Sequence, residues 1–167
     1  EQHGPTKRSN LYKLRNYVIA HLMWNPELSV DELVNDFLKG YYGAGAVGLR
    51  KYFDLIHEEG RKLDERKRPL HMWGKVANSG FPNEMFEEAA KYLKQAQAAV
   101  AGDPVLTRRV RIERAMNDFS RILLDNVGAP VEVSRNPEYV NGERFKDLRE
   151  AAQSYYALMK EDAHFLH

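Results

Sequence analysis

Cysteine is missing from the chain altogether. Its absence excludes a disulfide framework and a thiolate zinc site, while leaving the redox compartment open. No apolar run approaches the roughly 20 residues a membrane-crossing helix needs. An excess of one charge is lacking too. Lys and Arg number 25 against 24 Asp and Glu, a formal net charge of +1, so no overall field draws the protein to nucleic acid or to an acidic membrane. The chain begins Glu1-Gln2-His3-Gly4-Pro5, with neither an initiator methionine nor a signal peptide, and is expected to be a piece of a longer polypeptide. Signatures of catalysis are also wanting: no H-E-x-x-H, no Walker A loop, no nucleophile elbow. His3, His21, His57, His71, His164 and His167 form no i, i+4 pair. His164 and His167 stand three apart without a third ligand, so neither a metal site nor a cofactor is expected.

What is present is the composition of an ordinary globular domain: 167 residues, 43% hydrophobic and 29% charged. Residues 1–8 are polar, contain Gly4 and Pro5, and read as a linker or frayed end. Residues 9–167 read as one helical domain. The fold class expected is all-α: an irregular bundle of about five to six helices with two long Pro/Gly-containing loops.

The strongest local signals lie between Trp24 and Gly45. Asn25-Pro26 ends the first helix, because a residue before proline is pushed out of the α region. Ser29-Val30-Asp31-Glu32 is a capping box, with Leu28 and Leu33 placed as a hydrophobic staple. Leu33, Val34, Phe37 and Leu38 form one apolar stripe, and Gly40 is the expected stop. Gly43-Ala44-Gly45-Ala46-Val47-Gly48 matches G-x-G-x-x-G. A dinucleotide site would need a strand before it. A helix and two tyrosines precede it instead, so the reading is small residues that let the next helix approach a neighbour closely.

Elsewhere periodicity predicts a first helix capped by Ser9 or Asn10, with Leu11, Leu14, Val18, His21 and Leu22 on one face. Tyr12, Ile19 and Met23 widen that face, as in a helix largely buried here or against another body. A third helix is expected over about 44–63 and a fourth from near Pro82, carrying Phe86, Ala89, Leu93, Ala96 and Val100. Gly102-Asp103-Pro104 is a stop and restart: a glycine C-cap, an Asp103 N-cap and Pro104 in the first turn. A fifth helix to about Asn126 then completes an antiparallel hairpin. Pro69–Pro82 and Val127–Gly142 are the two irregular segments, the second with at most a short strand at Val131-Glu132-Val133. A last helix is expected over about 142–164. Arg108, Arg109, Arg111 and Arg114 make a basic run balanced by Glu113, read as an exposed helix face, and no nucleic-acid partner is expected.

One pattern within 14–52 resembles a known family. It comprises a helix ending in Trp24-Asn25-Pro26, a short acidic helix, then Phe37-Leu38, Gly40-Tyr41-Tyr42-Gly43, and a helix containing Arg50 and Tyr52. It looks like the helical region after the barrel in a domain-of-unknown-function family of glycoside-hydrolase-like proteins, whose members resemble α-glucuronidases and β-N-acetylhexosaminidases. Gly45 and Gly48 depart from the family pattern, a departure expected to loosen the start of the third helix. The resemblance implies a C-terminal helical domain supporting an upstream TIM barrel of the same polypeptide, a secreted or periplasmic location, and a glycan as ligand. The catalytic acids would belong to the barrel, so this chain alone is expected to be inactive. Trp24, Asn25, Tyr41, Tyr42 and Trp73 are the candidate carbohydrate-contacting or interdomain residues. Packing is the preferred role of the four aromatics and sugar stacking the alternative. A free-standing helical protein-interaction module is the alternative function.

Overall fold

A computed structural model describes residues 10–65, 81–125 and 149–161. These form α1 (Tyr12–Trp24), α2 (Val30–Tyr42), a 3₁₀ turn (Gly43–Gly45), α3 (Ala46–Glu65), α4 (Asn83–Ala99), α5 (Pro104–Asp125) and α6 (Arg149–Glu161). The all-α expectation holds, and no strand occurs among the described residues. The linker at 1–8, most of the first irregular segment at 69–82, the whole of the second at 127–142 and both ends of the last helix expected over 142–164 lie outside the described residues.

Successive helices run antiparallel, as their cross-contacts record. Tyr17 on α1 meets Phe37 on α2 with ring centroids 5.3 Å apart, while Lys13 reaches the Tyr41 hydroxyl. Between α4 and α5, Thr107 donates to Val100 O and Asn117 to Phe86 O. Between α5 and α6, Arg111 pairs with Glu161 at 2.7 Å and Phe119 meets Tyr155 at 5.5 Å. The core runs through these layers on Leu14, Val34, Leu38, Tyr42, Leu49, Tyr52, Leu93 and Val110.

The α2 cap forms as its sequence dictates: Ser29 is extended and its Oγ accepts the Glu32 amide. The expected stop at Gly40 does not occur. α2 continues to Tyr42 because Leu38 and Tyr42 extend the buried stripe by another turn. Gly43 ends it at φ 53°, its N–H returning to Lys39 O. Only glycine enters that region cheaply.

α3 seats on α4 through its glycines. A Cβ at Gly48 would stand 2.6 Å from Tyr92 O and 2.8 Å from Ala96 N, and one at Gly45 would stand 3.1 Å from Val100 Cγ1. The G-x-G-x-x-G run is therefore a close-packing device. It tightens the start of α3 rather than loosening it. At the α4–α5 corner Asp103 Oδ1 accepts the amides of Val105 and Leu106 at 2.8 and 3.0 Å, and Pro104 opens α5. The residue that ends α4 is Val100, two positions before Gly102.

Candidate functional site

α1 starts in a way its sequence does not announce. Asn10 does not cap it, and Ser9 lies outside the described residues. The N-cap position is Leu11, held in the left-handed region at φ 52°, ψ 33°, without a side-chain cap. A non-glycine residue there carries strain that surrounding structure must hold. The Leu11 amide donates to Glu113 Oε2 at 2.8 Å, and the Tyr42 hydroxyl donates to Glu113 Oε1 at 2.8 Å. The Asn10 side chain donates to the Tyr52 hydroxyl at 2.8 Å. One carboxylate thus ties α1, α2 and α5 together.

Glu113 is 3% exposed. Burial raises its pKa, against the lowering pull of the Leu11 amide, Tyr42 and the charges of Lys13 and Arg15. Burial likewise raises Tyr42 and Tyr52, with the Glu113 charge adding to both. Glu113 entered the sequence reading only as a charge balancing arginines. Its spacing carried a further signal: it stands three residues from both Val110 and Met116, within the buried stripe of α5.

The basic run of α5 is not one exposed face. Arg109 donates to Tyr41 O at 2.6 Å and lies 4.1 Å from the Tyr41 ring centroid. Arg111 binds Glu161, and Arg114 donates to Gln97 at 3.1 Å. Of the four, Arg108 is exposed and the other three are half-buried. On a helix, residues so closely spaced point to different neighbours.

The five candidate residues do not converge. Trp24 is 92% exposed at the end of α1, and Asn25 beside it is exposed, its Oδ1 accepting the Glu27 amide. Tyr41 is half-buried between Phe37, whose ring stacks on it at 5.0 Å, and Arg109. Tyr42 is 0% exposed. No sugar can reach its ring, and its role is core packing and the bond to Glu113. Trp73 lies outside the described residues. Trp24 and Tyr41 occupy opposite ends of the α1–α2 pair, separated by the length of α2, about 20 Å for 13 residues.

Around Trp24, however, exposed apolar residues collect. Ile19, Met23, Leu28 and Val30 join it within twelve positions of sequence, Met23 being 75% exposed. This corner is formed by the last turns of α1, the Pro26 turn and the first residue of α2. Beside it, His21 is half-buried, its Nδ1 donating to Tyr17 O at 2.9 Å. A second concavity of about 460 Å³ opens between α1, α3 and α5. Among the described residues no group of three or more His, Asp or Glu side chains is gathered as metal ligands would be. No described helix is long and apolar enough to cross a membrane.

The described molecule is thus a helical domain with a structural carboxylate inside and an apolar corner outside. Residues 1–54, that is 54 of 167, match a family described as Domain of unknown function (DUF4838). No curated protein and no solved structure matches the chain. The matched stretch covers α1, α2, the 3₁₀ turn and the first part of α3. Within it, Arg50 bridges Asp31 at 2.7 Å and Asp54 at 3.0 Å and donates to Asn35, which joins α2 to α3. Tyr52 is fully buried. Arg50 and Tyr52 therefore have a structural use.

Proposed function

We propose that this chain is the non-catalytic C-terminal helical domain of a glycoside-hydrolase-like, secreted or periplasmic protein. It buttresses an upstream TIM barrel of the same polypeptide and sets Trp24 and Asn25 toward the rim of the barrel's glycan cleft. The observation that carries this reading is the apolar corner of Met23, Trp24, Leu28 and Val30, which lies inside the 1–54 stretch matched by the family. A tryptophan near four other exposed apolar side chains, Ile19, Met23, Leu28 and Val30, is a surface suited to being covered. A free-standing protein-interaction module is the second reading, favoured by the same corner if a separate chain covers it.

The absence of cysteine provides the test. Trp24→Cys places a single thiol in this chain at the centre of the corner. In the isolated chain it should react with a maleimide at the rate of a free exposed thiol. In the native polypeptide, with modification localised by peptide mass, an interdomain contact should slow it by roughly tenfold or more. Equal rates, or a native polypeptide no longer than this chain, would overturn the buttress. Hydrolysis of a glycoside by the purified chain would overturn the non-catalytic assignment.

A further inference from the structure

The concavity between the first turn of α1, the middle of α3 and the second half of α5 is independent of the apolar corner and of the function proposed above. Its volume of about 460 Å³ falls within the range of small-molecule pockets, about 300–1,000 Å³. Leu14, Ile56, Met116 and Phe119 supply apolar walls from all three helices. Among the described residues its lining contains no Asp or Glu, and the one fixed charge there is Arg15. The nearby carboxylate, Glu113, is committed to the Leu11 amide and the Tyr42 hydroxyl.

Arg15 is anchored at one end, where Nη2 donates to Asn10 O at 3.0 Å. A guanidinium carries five donors in a planar fork, so donors remain for a second acceptor. Desolvation where Arg15 meets the wall pulls its guanidinium below the ordinary pKa, against the raising pull of Glu113 and Tyr52, although the residue as a whole is exposed. Ser120 donates to Met116 O at 3.0 Å and keeps its lone pairs. Of the other polar liners, Asn10 is committed through its side chain to the Tyr52 hydroxyl and His57 through Nδ1 to Phe53 O, which leaves fewer partners than the many hydroxyls of a polyol would each need.

We propose that this concavity binds a small amphipathic acid, with a flat apolar body lying between Leu14, Ile56, Met116 and Phe119 and a carboxylate turned to Arg15. Burial of the apolar body supplies affinity, and the charge-assisted pair with Arg15 selects for the anion.

The test uses 2-naphthoate and its charge-reversed shape match, 2-naphthylmethylamine, titrated calorimetrically into the intact chain. The expected result is one saturable site for naphthoate and binding of the amine weaker by roughly tenfold or more. Arg15→Gln should weaken naphthoate by roughly tenfold and leave the amine unchanged or improved, and Arg15→Lys should retain much of the affinity. Arg15 is exposed, so neither variant threatens folding. Ser120→Phe, which narrows the site, should weaken both probes. No saturable naphthoate binding, equal affinity for the two probes, or indifference to Arg15→Gln would each overturn the assignment.

Discussion

Replacing Gly48 by alanine should destabilise the protein, although the same exchange in a free helix would stabilise it. Alanine gains about 1 kcal/mol over glycine in a helix interior. Against that, the new Cβ would stand 2.6 Å from Tyr92 O and 2.8 Å from both Ala96 N and Ala96 Cβ. Carbon contacts relax only near 3.5–4.0 Å. Two of the three obstructing atoms are backbone, so no rotamer change clears them and α4 must withdraw by about an ångström. That withdrawal loosens Ala89, Leu93 and Ala96, all buried on α4. Overpacking of this kind costs about 1–3 kcal/mol. At the upper part of that range, which the backbone contacts favour, the net loss is about 1–2 kcal/mol. Gly60 supplies the control on the same helix, since a Cβ there meets nothing within 4 Å. Gly60→Ala should raise stability by about 0.5–1 kcal/mol. Urea unfolding followed by far-UV circular dichroism measures both, with the midpoint moving and the slope constant. If Gly48→Ala is as stable as the parent, or shifts with the same sign as Gly60→Ala, the close approach of α3 to α4 is not what requires glycine.

Glu113→Ala leaves the Leu11 amide and the Tyr42 hydroxyl without their buried acceptor and should cost about 2–4 kcal/mol, read from the same urea curves. Glu113→Gln keeps an acceptor and removes the titration. Because burial raises the Glu113 pKa, the folded chain holds that proton more tightly than the unfolded one. The resulting stability is fully present below the unfolded pKa and is lost as pH rises through the folded pKa. The parent should therefore gain stability relative to Glu113→Gln as pH falls toward 4, in thermal melts of the two proteins side by side. A difference that stays flat with pH would show that Glu113 does not titrate this way. Asp103→Ala removes the acceptor for the Val105 and Leu106 amides and should cost about 0.5–2 kcal/mol, with Asp103→Asn recovering most of it in the same assay.

Several elements were legible because their causes are local. The Ser29 cap, the Asp103 cap and Pro104 act within one helical turn, and each formed at the residue expected. The stripe of Phe86, Ala89, Leu93, Ala96 and Val100 is a matter of period alone, and all five are buried. The start of α1 was not legible. Asn10, a good cap by type, is drawn away to Tyr52, and the Leu11 amide finds an acceptor 102 positions away in sequence. Nor was the end of α2. Gly40 and Gly43 offer the same chemistry, and the choice fell to Gly43 because Tyr42 had a buried place to fill. At the candidate site, sequence offered four aromatics, Trp24 foremost because it ends the helix closest to an upstream domain, with packing as their preferred role. Packing left Trp24 in solvent, put Tyr42 in the core and set Tyr41 between Phe37 and Arg109.

By itself, then, the sequence determined an all-α chain: its caps, its helical hairpins and the small-residue seam at Gly45 and Gly48. These follow from hydrogen bonds and steric limits spanning a few residues. Tertiary structure alone decided that Glu113 is the buried clamp of α1, α2 and α5, that the arginines beside it serve three different partners, and that the apolar surplus of α1 collects around Trp24. Those outcomes depend on which faces meet across gaps of tens of residues, where burial and pairing, rather than residue type, set the role of each side chain.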